Sequence, residues 1–159
     1  MKFDGVYEKT LVLIKPDAIQ RGLIGEIVGR FEKKGLKMVG IKMMALDDAV
    51  LKEHYSHLAD KPFFAGLSNF MKSSPVIAMC WEGLEVVSAV RLLCGITKAR
   101  AAEAGSIRGD LAMSVSCNVV HASDTTENAQ KEVLRFFKDA ELHDYRKSEY
   151  EHVYAEDER

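Results

Sequence analysis

The chain has 159 residues, of which 47% are hydrophobic and 29% charged, and its formal net charge is −2. This size supports one sizeable core, so we predict a single domain over residues 1–159 with a polar tail over 139–159. Lys and Arg are scattered, which argues against nucleic acid as a partner and favours a small anionic ligand. The start lacks an apolar run and no stretch is long enough to span a bilayer, so we expect a cytoplasmic protein without a membrane partner.

Four apolar runs have the length and the β-branched content of buried strands. They lie at residues 10–15, 36–43, 75–81 and 115–120. Between and after them, apolar residues recur at helical spacing, with Asp47 as the cap of the second segment, Gly95 at the end of the fourth and Thr125 or Asp124 as the cap of the last. These helical segments are 23–31, 47–57, 63–72, 85–93 and 125–137.

Residues 97–110 have no strong period and contain Gly105 and Gly109, which predicts either a short helix plus loop or loop alone, and a mobile segment. The order of elements then reduces to βαββαβ with inserted helices. We therefore predict an α/β fold of the ferredoxin-like sandwich type, with a four-stranded antiparallel sheet in which the first and fourth strands are neighbours.

The three cysteines, Cys80, Cys94 and Cys117, show no CxxC spacing. Their odd number argues against a disulfide framework and against a zinc site, so we expect buried free thiols. The other histidines, which are His54, His57, His143 and His152, are interpreted as surface or core residues.

His121 lies where the fourth predicted strand ends and a helix is about to begin. Histidine titrates near pH ~6.5, so a neutral, nucleophilic imidazole is available there. Position alone fits equally a strand-end histidine that is hydrogen-bonded to the helix cap. Lys15, Arg91 and Arg108 lie near element ends or in the mobile loop, and cations of this kind stabilise a transferring phosphoryl group. Each of them alone also fits a solvated surface charge.

Six blocks of sequence, in this order and at these separations, resemble the nucleoside diphosphate kinase family from about residue 10 to about residue 154. The blocks are IKPDAIQRGLIGEIVGRFEKKG, KEHY, KPFFAGL, PVIAMCWEG, IRGD and NVVHASD. The resemblance implies transfer of the γ-phosphate from a nucleoside triphosphate to a nucleoside diphosphate, with broad base specificity. It also implies a ping-pong mechanism through a phosphohistidine on His121.

The resemblance assigns further residues by position. Phe63 and Val115 match the residues on either side of the base, and Lys15 and Asn118 match the pair that holds the ribose hydroxyls, with Lys15 also reaching the transferred phosphate. The groups expected on the distal phosphates are Arg91, Thr97 and Arg108. The groups expected around the imidazole are Tyr55, Ser123 and Glu132.

Mg²⁺ is implied as part of the nucleotide complex, with no direct protein ligand and at most a contact through water from Asp124. The resemblance also implies a homo-oligomer, with a hexamer favoured over a tetramer because the tail reaches Val153 and Tyr154.

Three alanines depart from the family pattern. Ala122 replaces the usual glycine after the histidine, so a positive φ there would cost on the order of 1 kcal/mol. Ala99 and Ala104 stand where prolines are common, which predicts a looser loop. These changes keep two alternatives open. The first is a nucleotide-binding regulatory module without turnover, and the second is a protein-interaction or nucleic-acid role on the same fold.

Overall fold

The computed structural model of the chain describes residues 7–158. The predicted single domain over residues 1–159 therefore extends beyond this range at both ends, and the prediction for the first residues lies outside it. Within it, no helix combines the length and the apolar character that crossing a membrane requires.

The predicted four-stranded antiparallel sheet is confirmed. Its strands run in the order β2-β3-β1-β4, so β1 and β4 are neighbours as predicted. The strands are β1 (Tyr7–Ile14), β2 (Lys37–Met44), β3 (Val76–Leu84) and β4 (Val120–Ala122).

Helices cover both faces of the sheet. The α-helices are α1 (Pro16–Gln20), α2 (Ile24–Lys33), α3 (Asp48–His54), α4 (Phe64–Lys72), α5 (Val86–Cys94), α6 (Ile107–Leu111), α7 (Thr126–Phe136) and α8 (Tyr150–Val153). Short 3₁₀ turns lie at Ser56–Leu58, Ala99–Ala101, Asp139–Glu141 and Glu156–Glu158.

The apolar run in β1 is explained by burial on both of its faces. Successive side chains of a strand point to opposite sides, and here both sides are cores. Val12 and Ile14 belong to the core that contains Phe31 of α2. Leu11 and Leu13 belong to a second core under α3, α4 and α7. The central strand is thereby held in place, and Lys15 follows directly from its end.

Two N-terminal helix caps and one C-terminal glycine that were predicted from the sequence are present. Asp47 accepts a hydrogen bond from the Val50 N–H at the start of α3, and Thr125 accepts one from the Asn128 N–H at the start of α7. Gly95 ends α5 with a φ of 79°, which glycine adopts without steric cost. The helix after Asp47 is shorter than predicted, because the backbone leaves the helical conformation at Tyr55.

The predicted strand at residues 115–120 is wrong in its bounds, since β4 covers only Val120–Ala122. Residues 114–118 instead form a loop held by side chains. The Ser114 hydroxyl accepts hydrogen bonds from the Ser116 and Cys117 N–H groups, and the Asn118 amide donates to the Val115 carbonyl. Local bonds of this kind compete with strand pairing.

Residues 97–110 contain a short helix plus loop, one of the two forms predicted.

The thiol prediction holds for two cysteines and fails for the third. All three are free, Cys80 and Cys94 are buried, and burial raises the pKa of each of these two thiols to about 12. Cys117 is exposed, because the 114–118 loop turns its side chain away from the cores.

Candidate active site

A cleft of about 1050 Å³ opens beside β4, between the segment from α3 to α4 on one side and the loop before β4 on the other. Its size suits a nucleotide-sized ligand. It brings together nearly all the residues singled out from the sequence, although they are far apart in the chain. Those that line it are Lys15, Tyr55, Phe63, Arg91, Thr97, Arg108, Val115, Asn118, His121, Asp124 and Glu132.

His121 lies in the middle of β4, and its side chain is 21% exposed. Its ring Nε2 lies 3.0 Å from a carboxylate oxygen of Glu132 on α7. An ionised carboxylate only accepts hydrogen bonds, so this contact places the imidazole proton on Nε2. The lone pair of the neutral ring is therefore on Nδ1, which becomes the nucleophilic atom.

Glu132 is itself held in place by Ser123. The Ser123 side chain is fully buried, and its hydroxyl donates to the same Glu132 oxygen over 2.5 Å. Burial alone would raise the pKa of Glu132, but the hydrogen bond and charge of His121 and the Ser123 hydroxyl lower it to about 2. The carboxylate is ionised at any working pH and is available to stabilise positive charge on the imidazole.

His54, at the end of α3, is a site residue that sequence reasoning missed. It was interpreted as a surface or core residue, and it is buried, but its ring also meets the His121 ring edge-on, with centroids 4.5 Å apart. Arg135 of α7 donates to His54 Nδ1 over 3.1 Å. Burial and the charge of His121 lower the pKa of His54 to about 3, so this ring is neutral. The only sequence signal was its place on the inner face of α3, next to Tyr55.

The Tyr55 ring lies 6.3 Å from the His121 ring, measured between centroids. Tyr55 is buried against the second core, and burial together with the Glu132 charge raises the pKa of its phenol. The phenol is therefore neutral and forms part of the wall beside the imidazole.

Lys15 and Asn118 form a second buried polar pair in the cleft. The Lys15 ammonium donates to the Asn118 side-chain oxygen over 2.9 Å and to the Ser116 carbonyl over 2.7 Å. Burial lowers the pKa of Lys15 to about 8, while the nearby Asp17 charge acts in the opposite direction. The Asn118 amide also donates to the Thr97 carbonyl over 3.2 Å, which ties the 97–110 segment to the site.

The two arginines of the cleft differ in how they are bound. Arg91 is exposed and makes no side-chain hydrogen bond or ion pair with another residue in 7–158. Arg108 is buried and donates to the carbonyls of Gly95, Asn118 and Val120 over 2.8, 3.3 and 2.7 Å. A guanidinium has five N–H donors, so Arg108 keeps two for a ligand.

Phe63 and Val115 are apolar residues that line the cleft and are 56% and 45% exposed. Single exposed apolar side chains are common on protein surfaces, but these two line the same cleft. Their exposure at the mouth of the cleft is suited to contact with a flat aromatic group.

The backbone at Ala122, directly after His121, does not adopt the positive φ considered from the sequence. Within residues 7–158 the non-glycine residues with positive φ are Glu85 and Val119, so Ala122 carries no such strain.

His54, His121 and Glu132 offer ligand atoms within 4.8 Å of one another. The Arg135 cation beside His54 opposes a metal ion there.

An α/β sandwich whose cleft joins a carboxylate-oriented histidine to a lysine and two arginines has the composition of an enzyme site for a phosphorylated ligand. Comparison with known proteins narrows this class. The family model for nucleoside diphosphate kinase matches residues 8–142. A nucleoside diphosphate kinase from Parabacteroides distasonis is 54% identical over 151 residues, covering 95% of this chain and 99% of the relative.

Other relatives agree in sequence and in structure. Human nucleoside diphosphate kinase A is 50% identical over 138 residues, covering 87% of this chain and 91% of its own. The structure of a halophilic nucleoside diphosphate kinase from Halobacterium salinarum in complex with CDP superposes with a TM-score of 0.90 at 47% identity, covering 92% of this chain and 98% of that one. The chain belongs to the nucleoside diphosphate kinase family.

Proposed function

We propose that the protein transfers the γ-phosphate of a nucleoside triphosphate to a nucleoside diphosphate through a phosphohistidine on His121. The observation that carries this proposal is the 3.0 Å contact between His121 Nε2 and Glu132, which leaves Nδ1 as the nucleophilic nitrogen in a cleft lined by Lys15, Arg91 and Arg108. The names of the relatives describe the same overall reaction.

The reaction has two matched steps. In the first, the Nδ1 lone pair forms a bond to the γ-phosphorus, the bond from that phosphorus to the β,γ-bridging oxygen breaks, and the nucleoside diphosphate leaves. In the second, a terminal β-phosphate oxygen of another nucleoside diphosphate attacks the phosphorus and the P–Nδ1 bond breaks. The imidazole becomes cationic in between, and Glu132 stabilises that charge.

The cleft offers a separate group for each part of a nucleotide. Phe63 and Val115 would enclose the base, and because every base has a π-face, stacking of this kind gives broad base specificity. Lys15 and Asn118 would hold the ribose hydroxyls, with Lys15 extending to the transferred phosphate. Arg91, Thr97 and Arg108 would hold the distal phosphates, and Tyr55 would flank the imidazole.

Mg²⁺ would enter with the nucleotide and neutralise part of the phosphate charge. The donor set of the cleft fits an ion carried by its ligand: Asp124 lines the cleft, and one of its oxygens already accepts a hydrogen bond from Asn128 over 2.7 Å. Asp124 would therefore act on the ion through water.

We also propose that the protein is a cytoplasmic homo-oligomer, with a hexamer favoured over a tetramer.

The test separates the two half-reactions. Protein incubated with γ-labelled ATP and no acceptor is expected to carry an acid-labile label, and unlabelled GDP or CDP should then remove it as the triphosphate. His121→Ala should carry no label, whereas the control His152→Ala, an exposed histidine in α8, should behave as the wild type. Absence of label on the wild type, or a label on His121→Ala, would overturn the proposal.

A further inference from the structure

Two residues before His121, the backbone adopts a conformation that valine rarely takes. Val119 has a φ of 65°, and the Val120 N–H donates to the Asn118 carbonyl over 2.8 Å. A hydrogen bond that spans a single residue with positive φ is a γ-turn of the rare, strained kind. The branched side chain of valine makes the strain larger, so the turn persists only if its surroundings hold it.

The surroundings do hold both polar groups of Val119. Its N–H donates to a carboxylate oxygen of Asp17 over 3.1 Å, and its carbonyl accepts from the Lys15 N–H over 2.9 Å. Arg108 binds the carbonyls on either side, those of Asn118 and Val120. The turn is therefore fixed from three directions.

The strained turn separates two groups of the cleft. Val119 is fully buried in the core, whereas Asn118 and His121, on either side of it, line the cleft. If Val119 relaxed to a negative φ, the chain would change direction at this residue, and Asn118 and His121 would shift relative to each other. The spacing between the imidazole and the Lys15–Asn118 pair thus depends on the turn.

Apart from its hydrogen bond to Val119, Asp17 acts in the site through its charge, which opposes the lowering of the Lys15 pKa. It lies in the first turn of α1, where an acidic residue is common, and the second oxygen of its carboxylate is buried without a hydrogen-bond partner among the described residues. Its hydrogen bond to the Val119 N–H crosses 102 positions of the chain. This carboxylate therefore links the end of β1 directly to the turn before His121.

We propose that Asp17 is a positioning residue for phosphoryl transfer, which holds the γ-turn at Val119 and thereby sets His121 against the cations of the cleft. The inference rests on the proposed function of His121. Asp17 touches no reacting atom, and it acts through the Val119 amide.

The test uses glycine at position 119, because glycine adopts positive φ without strain and so no longer needs Asp17 to hold the turn. Asp17→Ala is expected to slow single-turnover phosphorylation at saturating ATP by about tenfold or more, the effect of losing a hydrogen bond to a charged group. Val119→Gly alone should stay within about threefold of the wild type. The double variant should recover to about the rate of Val119→Gly.

A matched control distinguishes positioning from general stability. Asp47→Ala also removes an aspartate that accepts a backbone N–H, that of Val50 over 2.9 Å, and should leave phosphorylation unchanged with or without Val119→Gly. If Asp17→Ala does not fold, Asp17→Asn, which keeps an acceptor and removes the charge, should show a smaller loss that Val119→Gly also restores.

Two results would overturn the inference. One is a wild-type phosphorylation rate in Asp17→Ala, and the other is a slow rate that Val119→Gly does not restore although the single glycine variant is active. A wild type that forms no phosphohistidine would instead overturn the proposed function of His121.

Discussion

Replacing Glu132 by glutamine removes one negative charge from the site and little else. Glutamine has the same shape, and its carbonyl can still accept from His121 Nε2 and from the Ser123 hydroxyl, which lie 3.0 and 2.5 Å from the present oxygen. The variant therefore tests the electrostatic part of the contact, with the orientation of the ring preserved.

The expected loss follows from where charge develops. The imidazole attacks in its neutral form and becomes positive as phosphorus bonds to Nδ1, so the Glu132 charge acts mainly in the transition state. A hydrogen bond to a charged group contributes about 1.5–3 kcal/mol. At about 1.4 kcal/mol for each factor of ten, Glu132→Gln should slow phosphorylation by about tenfold to about 150-fold.

The assay measures the rate of single-turnover phosphoenzyme formation from γ-labelled ATP by quenched flow. The rate at saturating ATP should fall, while the ATP concentration at half-saturation should change little, since Glu132 does not contact the nucleotide in the proposed complex. Glu127→Gln is the control, because Glu127 lies on the same helix, is exposed and pairs with Lys131. An unchanged rate in Glu132→Gln would refute the electrostatic role.

Three further predictions concern the nucleotide and the loop. The pKa of Lys15 is lowered to about 8, so its ammonium loses a proton above that pH, and kcat/KM for ATP should fall above pH about 8 in the wild type and not in Lys15→Arg. Phe63→Ala should raise KM about fivefold to about 150-fold by a similar factor for every base, and a base-dependent change would contradict simple stacking. Ala99→Pro should raise the free energy of unfolding in urea by about 0.4–1 kcal/mol, because Lys98, with a φ of −75° and a ψ of 87°, lies outside the α region that a following proline disfavours. A lower free energy of unfolding would contradict the looser-loop prediction.

The order and pairing of the strands could be predicted because they follow from local patterns. The run in β1 is apolar on both faces, and the structure has a core on each side of it. Asp47 and Gly95 are residue types with defined cap geometry, and both appear where the pattern put them.

The bounds of β4 could not be predicted in the same way. Val115, Val119 and Val120 favour a strand by composition, yet Val119 has positive φ and only Val120 pairs with β1. The conformation of Val119 depends on Asp17, which lies far away in the sequence. A window of neighbouring residues carries no information about such a contact.

The site was predicted largely through family resemblance, and the parts that were missed involve contacts between elements. His54 sits at the end of α3, and nothing in its neighbours reveals that the His121 ring lies 4.5 Å away. Arg108 was expected on the phosphates, but three of its bonds go to backbone carbonyls, which only the folded chain can show.

The most direct test of the account is the identity of the phosphorylated atom. Phosphoenzyme prepared from ATP and ¹⁵N-histidine-labelled protein can be examined by ³¹P and ¹⁵N NMR at alkaline pH, where phosphohistidine is stable to hydrolysis. Because Glu132 holds Nε2, we predict that the phosphorus is bonded to Nδ1 of His121. Phosphorus on Nε2 of His121, or on any other side chain, would contradict the geometry on which the proposed reaction depends.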